Sequence, residues 1–429
     1  MRFGLILTTV VAIGCRVNSN YCPGANPDNN CAEIDARGPA SDTPPSGCGS
    51  DGDCSAGTAV CDTTTKACVA CTATEPGACT GTAPVCKQDA CAPCSSHSDC
   101  ASNACLPDGS CGTDANVAYV DPTGTNNANC TKAIPCTKVA AALATARPYV
   151  KFVGTTDEAV AVNGGRVVTF LAGPNAALTR SAGTGAIVTV SDTGTSLSIF
   201  DLAIKNAPNN SSGFGIVVPV AAGSPTVSLA RAVLSNNPAG GISASGGSLT
   251  ISQSTIANNA GGGISTTGQF AIVNNFFFAN GSTSSPIGGV SILTSQNAAN
   301  RLEFNSFSKN ATQDGIGTAI QCVAGTFTAR NNIMSGNGTL TNMNQTGGAC
   351  SHAYSIATPG ALPSGTGNIA LDPQFVNTTT GDLHIPAGSP AVDAADPAAL
   401  LTGLEGVDID GDPRPQGVHA DIGANEHKP

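Results

Sequence analysis

A chain of 429 residues with 51 Gly, no Trp, 11% charged and 4% aromatic side chains is poor material for a helix-rich globule. It suits a β-solenoid with Gly, Asn, Ser and Thr at the turns. The net charge of −11, with no block of Lys or Arg, argues against a nucleic-acid partner.

The first fifteen residues read as an export signal. Arg2 supplies one positive charge, a short apolar run follows, and small Gly14 precedes Cys15. The run is too short to span a bilayer. Ala12-Ile13-Gly14-Cys15 resembles the bacterial lipobox, whose Cys is acylated and becomes the first residue. Cys15 is therefore the expected lipidation site and the lipid membrane the expected partner. The implied location is the bacterial outer membrane or cell surface. The alternative is an ordinary secretory signal cleaved nearby. Residues 16–47 carry Pro39, Pro44 and Pro45 and no hydrophobic periodicity, which predicts a disordered tether.

Cysteine usage fits an oxidising compartment. Of 19 Cys, setting Cys15 aside leaves an even number. They group as Cys22 with Cys31, twelve from Cys48 to Cys111, Cys130 with Cys136, and Cys322 with Cys350. The first, third and last groups are expected to pair internally. Residues 48–112 form a Cys-rich repeat: Cys54, Cys61, Cys68 and Cys71 are echoed by Cys79, Cys86, Cys91 and Cys94, then by Cys100, Cys105 and Cys111. Few large apolar residues lie between them, so such units need covalent staples. Cys68-x2-Cys71 with Cys91-x2-Cys94 also satisfies a zinc-ribbon spacing, the competing reading.

The solenoid is expected over 117–366. Residues 137–146 are strongly helix-forming, with Thr137 as the predicted N-cap and Pro148 as the stop. A helix there would cover the open edge of the coil stack. Beyond it runs a 22-residue echo: Ser228-Leu229 to Asn236-Asn237 and Gly240-Gly241-Ile242 recur as Thr250-Ile251 to Asn258-Asn259 and Gly262-Gly263-Ile264. Each repeat of this length is one coil. Three apolar columns follow: Leu229, Ile251, Val273, Leu302, Ala329; Leu234, Ile256, Phe278, Phe307, Met334; and Ile242, Ile264, Val290, Ile320. Asn recurs at 236, 258 and 280, and at 237, 259, 310 and 337. Coils about 4.8 Å apart allow such amides to hydrogen-bond up a column. Loops at 281–288 and 311–317 break the cadence.

The chain resembles the exported bacterial parallel β-helix, or pectate-lyase-like, proteins. The resemblance is carried by Tyr119-Val-Asp-Pro, Cys136-Thr-Lys-Val-Ala-Ala-Ala-Leu, the Asn and Gly-Ile coils, and a C-terminal stretch over 367–429. That stretch includes Asp372-Pro373, Ser389-Pro390, Asp408-Ile-Asp-Gly-Asp412 and Asp421-Ile-Gly-Ala-Asn-Glu426. It resembles the module called choice-of-anchor Q, which closes many such helices. The resemblance implies an all-β, right-handed parallel β-helix with a short capping helix and a C-terminal cap.

Polysaccharide lyases of this fold use clustered carboxylates for calcium beside an Arg or Lys base. Here the acids between 190 and 340 are Asp192, Asp201, Glu303 and Asp314, and no two share a column. Glu303 and Arg330 do share one, with Ala230, Ser252 and Asn274. They are the catalytic candidates, or else a cross-strand ion pair. Asp408, Asp410 and Asp412 are the calcium candidates, but Pro413 and His419 stand where an EF-hand needs Gly and a carboxylate. His352, His384, His419 and His427 have no nucleophile context. The expected function is glycan or envelope-component binding, or a structural or adhesive role, for a surface lipoprotein; the alternative is a lyase or hydrolase acting on an acidic polysaccharide.

Overall fold

The computed structural model describes residues 47–55, 58–220, 223–294, 300–338, 344–359 and 365–429. Cys15, Cys22, Cys31 and nearly all of the expected tether lie outside them. No helix among the described residues is long and apolar enough to cross a membrane. The chain forms two compact units that divide inside the Cys-rich repeats.

The smaller unit ends at Ala78 and includes Gln88–Ala90. It pairs antiparallel strands Val60–Asp62 and Ala67–Val69, with Cys61 opposite Cys68. Disulfides Cys48–Cys61 and Cys54–Cys68 staple it. In the larger unit Cys79 pairs with Cys91, Cys94 with Cys105 and Cys100 with Cys111. Cys130–Cys136 and Cys322–Cys350 are disulfides as well. Cys71 and Cys86 are also disulfide-bonded. The zinc-ribbon reading of Cys68, Cys71, Cys91 and Cys94 fails, because a disulfide sulfur has no thiolate to give a metal.

The larger unit is an all-β parallel solenoid. Among the described residues, one sheet stacks nine strands from Thr155–Asp157 to Ile356–Thr358. A second path stacks strands from Val117–Val120 onward, then returns from Ile320–Arg330 to Val160–Val162. That eleven-residue strand joins two faces of the coil. The helix is Val139–Ala144, shorter than expected. Thr137 does not cap it; Glu158 Oε1 accepts the Val139 N–H at 2.6 Å instead. Val139 and Ala142 are buried against the first coils.

The third apolar column stands as read: Ile242, Ile264, Val290 and Ile320 are register partners. The other two slip by one residue in a single coil. Leu229 and Ile251 continue to Ile272, not Val273. Leu234 and Ile256 continue to Phe277, not Phe278. That coil is one residue shorter than the one before it. Between successive coils the backbone approaches so closely that only Gly fits: a Cβ on Gly241 would lie 2.6 Å from the Gly263 carbonyl oxygen.

The Asn column is a continuous amide ladder. Asn237 Nδ2 donates to Asn259 Oδ1 at 3.0 Å, Asn259 to Asn280 at 2.9 Å, Asn280 to Asn310 at 2.9 Å and Asn310 to Asn337 at 2.7 Å. Asn280 thus belongs with 237 and 259, not with 236 and 258. Gln345 closes the row. A second ladder, not anticipated, links Asn275, Asn305 and Asn332 at 3.0 Å each. All eight of these Asn are fully buried.

Just before the second ladder, every coil turns through a left-handed residue. These are Asn175, Asp201, Arg231, Gln253, Asn274, Phe304, Asn331 and Tyr354, with φ between 48° and 62°. They form a ridge along the outside of the coil. The C-terminal segment was expected to close the end of the stack. Only its beginning does so, where Ile369 bridges Ile356. The rest lies along the ridge. Gln253 Nε2 donates to Asp408 O at 2.9 Å, Asn274 Nδ2 to Leu404 O and Val407 O, and Asp396 N to Asn331 Oδ1 at 2.9 Å. Phe304, Ile333 and Ile356 pack against Ile385, Ala391 and Ile422. Phe276 and Phe278 pack against Leu383 and Ala424. Arg414 is fully buried, bonded to Glu426 at 2.8 Å and placed 4.6 Å over the Phe304 ring.

Asn259→Ala would leave several buried turn groups without partners, whereas Asn258 is exposed at φ 56°. The expected loss is about 3 kcal/mol for Asn259→Ala and within about 0.5 kcal/mol of wild type for Asn258→Gly, read by urea unfolding.

Candidate functional site

The alternation of strand Tyr149–Phe152 sends Val150 and Phe152 into the core and leaves Lys151 on the outer face. In register, Lys151 lies between Tyr119 and Leu171, and Leu171 is followed by Phe200 and Ala230. The ridge begins beside this column, with Asn175, Asp201 and Arg231. At this end the C-terminal segment does not cover the ridge. Residues 94–111, which hold the third Cys-rich copy, pack instead on the neighbouring outer-face column at Tyr119 and Leu171.

That repeat is an arm stapled by its two disulfides. Ala104 and Leu106 pack on Val117, Tyr119 and Leu171. The Tyr119 hydroxyl donates to Ser102 O at 2.8 Å, and Lys132 Nζ donates to Ala101 O at 2.6 Å. His97 Nδ1 accepts the Cys105 N–H at 3.1 Å. Between the arm, the outer face of the first coils and Asp410-Gly411 lies a cleft of about 1350 Å³.

Its chemistry is mixed. Arg231 pairs bidentately with Asp201 at 2.7 and 2.9 Å and lies 5.6 Å over the Phe200 ring. Lys151 is 3% exposed and its ammonium has no hydrogen-bond partner. Burial pulls its pKa down to about 7, against the attraction of Asp201. His97 is also pulled down, first by burial and then by Lys151. At the far wall His384 bridges Asp382 and Asp410, with Nε2 to Asp410 at 3.0 Å. Burial opposes its charge, yet the two carboxylates raise its pKa.

Glu303 and Arg330 are register neighbours, but they do not form an isolated pair. Their column contains Ala230, Ser252 and Val273; Asn274 belongs to the ridge. Arg330 donates to Asp396 at 3.1 Å and Arg301 pairs with Glu405. Burial, followed by the Glu405 charge, raises the pKa of Glu303. The cluster therefore ties the C-terminal segment to the solenoid.

Carboxylate oxygens of Asp408, Asp410 and Asp412 lie within 4.8 Å of one another. The fit to calcium is poor, because protein donors already engage each group. Asp408 Oδ1 accepts the N–H groups of Asp410 and Asp412, and its Oδ2 accepts that of Glu426. Asp410 bonds His384, and Asp412 pairs with Lys428 at 2.7 Å. Calcium asks for six or more free oxygens. The loops at 281–288 and 311–317 bring no titratable cluster; Ser282, Ser284 and Ser285 edge a shallow groove of about 410 Å³. His352 is buried at the end of the first apolar column, in register with Ala329.

Sequence reasoning missed Lys151, His97 and the Asp201–Arg231 pair. A cation between two core-facing residues, Val150 and Phe152, was the available signal for Lys151. Asp201 and Arg231 occupy the same turn position one coil apart, which the column alignment began too late to register.

No family model matches the chain, and no curated protein matches it. Among solved structures, the chain is similar to the crystal structure of pectate lyase Pel9A, with a TM-score of 0.40 and 16% identity over 72% of this chain and 96% of that one. A likeness of this size concerns the course of the backbone alone.

Lys151→Met is expected to stabilise the protein by up to about 5 kcal/mol at pH 7 and below. The folded pKa of about 7 lies under the ordinary 10.5, so the unfolded chain binds more protons between these values. Wild-type stability should rise with pH across that window, and the variant should lack the rise in urea midpoint.

Proposed function

We propose that this chain is an exported, lipid-anchored β-solenoid protein that binds a glycan in the cleft beside Lys151, and that it is not a catalyst. The observation that carries the reading is the Asp201–Arg231 pair on the cleft wall. It presents fixed charged donors and acceptors next to the Phe200 ring, the combination that recognises sugar hydroxyls and a sugar face. Asn103 and Asn175 add amides to the lining. The volume suits several sugar units rather than one.

The charge balance points to a neutral glycan. Lys132, Lys151 and Arg231 line the cleft against Asp108, Asp121, Asp201 and Asp410. Of these cations, Lys151 lacks a bonded partner and is withdrawn from solvent. The whole chain is at −11, so a polyuronate meets repulsion on approach. Lyase or hydrolase action on an acidic polysaccharide is the weaker reading, because the converging carboxylates after Val407 are occupied by their own neighbours. Anchoring through Cys15 would hold the cleft at the outer membrane or cell surface. The Cys-rich repeats, which disulfides keep compact without a large core, suit that exposed setting.

A glycan array followed by calorimetry tests the reading. Neutral oligosaccharides are expected to bind wild type, with affinity falling about tenfold or more in Arg231→Ala. Preferential binding of oligouronates, unsaturated products released from them, or binding indifferent to Arg231→Ala would overturn it.

A further inference from the structure

We propose that Lys151 and Val153 form a subsite for the acetamido group of an N-acetylated amino sugar, the amine donating to its carbonyl oxygen and the valine seating its methyl. This names the class of glycan and rests on the reading above.

Two side chains of opposite character define the subsite. Val150 and Phe152 enter the core, so the alternation puts Lys151 and Val153 together on the outer face. The Val153 N–H still donates to Val120 O at 2.9 Å, which keeps it in line with the strand. Residues two apart on one face stand about 7 Å from each other. Both line the cleft. Val153 is apolar yet 47% exposed, whereas Lys151 is polar yet 3% exposed, and its amine has no hydrogen-bond partner among the described residues. The amine reaches the cleft wall: a Cβ added to Gly173, which also lines the cleft, would lie 4.0 Å from Nζ.

The missing partner is an acceptor. A buried donor left unpaired costs about 1–3 kcal/mol, which a ligand oxygen recovers. Nearby acceptors are already spent. Both carboxylate oxygens of Asp201 are taken by Arg231, and His97 Nδ1 takes the Cys105 N–H. The acceptor must therefore come from the ligand, and the four-carbon stem lets the amine turn to meet it. Burial also favours the neutral amine, which needs no counter-ion.

Val153 decides which acceptor fits. A carboxylate and an acetamide have the same outline, but one carries a second oxygen where the other carries a methyl. An oxygen pressed onto Val153 would give up its water and gain no hydrogen bond. A methyl there buries apolar surface on both sides. A plain sugar hydroxyl brings an acceptor without the methyl. The acetamide matches donor and apolar wall together. The distance to the ring on the cleft wall also fits. Leu171 lies between Lys151 and Phe200 in register, so amine and ring sit two strand spacings apart, about 10 Å. A sugar resting at Phe200 can place a substituent of its own, or of the next unit, in the subsite.

Calorimetry with cellotriose and chitotriose tests this, because these β-1,4-linked trisaccharides differ only in a hydroxyl or an acetamido group at the 2-position. Wild type is expected to bind chitotriose about tenfold or more tightly. That ratio should fall about fivefold in Lys151→Met and about threefold in Val153→Thr, which keeps the shape and adds a hydroxyl. Saturation-transfer NMR on wild type needs no variant and should show the acetamido methyl as the most strongly saturated group. Equal affinities, a ratio unmoved by Lys151→Met, or weak saturation of the methyl would overturn the subsite. Cellotriose binding that requires Arg231 but shows no preference sinks the acetamido assignment and leaves the neutral-glycan reading standing. If neither trisaccharide binds, the subsite is overturned, and an array hit that depends on Arg231 still upholds the reading. A β-1,4-glucuronate trisaccharide that binds more tightly than chitotriose overturns both.

Discussion

The structure depends on satisfying backbone amides at turns that lie in a dry interior. A parallel coil must leave each strand and enter the next within a few residues, and water does not reach those turns. Two rows of buried Asn solve the problem by bonding both to the coil behind and to the next. Each amide oxygen accepts from the coil behind, and each nitrogen donates both to the next amide and to a carbonyl of the coil behind. The stack thereby gains a fixed spacing, and a side chain of another length would break the row at both ends.

Those rows have a consequence outside the core. The residue preceding each Asn of the second ladder must adopt the left-handed region, and its side chain then points outward. The resulting ridge is a regular line of side chains rather than a smooth face. Its composition decides what covers it. Gln253, Asn274 and Asn331 offer amides and Phe304 a ring, and the C-terminal segment docks on all four. Asp201 and Arg231 satisfy each other instead and stay uncovered. The cleft is the gap left between the C-terminal segment on the ridge and the Cys-rich arm on the neighbouring face.

The same logic separates the two charged clusters. Around Glu303 every cation has a carboxylate from the C-terminal segment, so the charges there serve attachment. Around Lys151 the cation lacks such a partner, and burial lowers its pKa. Perturbed groups without an obvious structural partner mark functional sites more often than neutralised ones do. This difference explains why the pair most visible in the repeat is structural, while the less regular first coils hold the cleft.

Much of the fold was readable from residue order. Period, column chemistry and the turn Asn follow from local rules that act within one coil and its neighbour. The misread positions, Val273 and Phe278, show where this ends. Both are apolar and buried, yet neither belongs to the inward columns. Val273 stands in the column of Glu303, and Phe278 is covered by Leu383 and Ala424, more than a hundred residues further along the chain. The cleft was less legible still. Lys151, Asp201, Arg231 and His97 come from separate coils and from the Cys-rich arm, and apart from the one-coil step between Asp201 and Arg231 nothing in their spacing links them. A solenoid repeats only the contacts between adjacent coils, so sequence alone specified the stack and its ladders. Which segments fold back along its flank, and what they leave open, depends on long-range packing that has no period and was decided by tertiary structure.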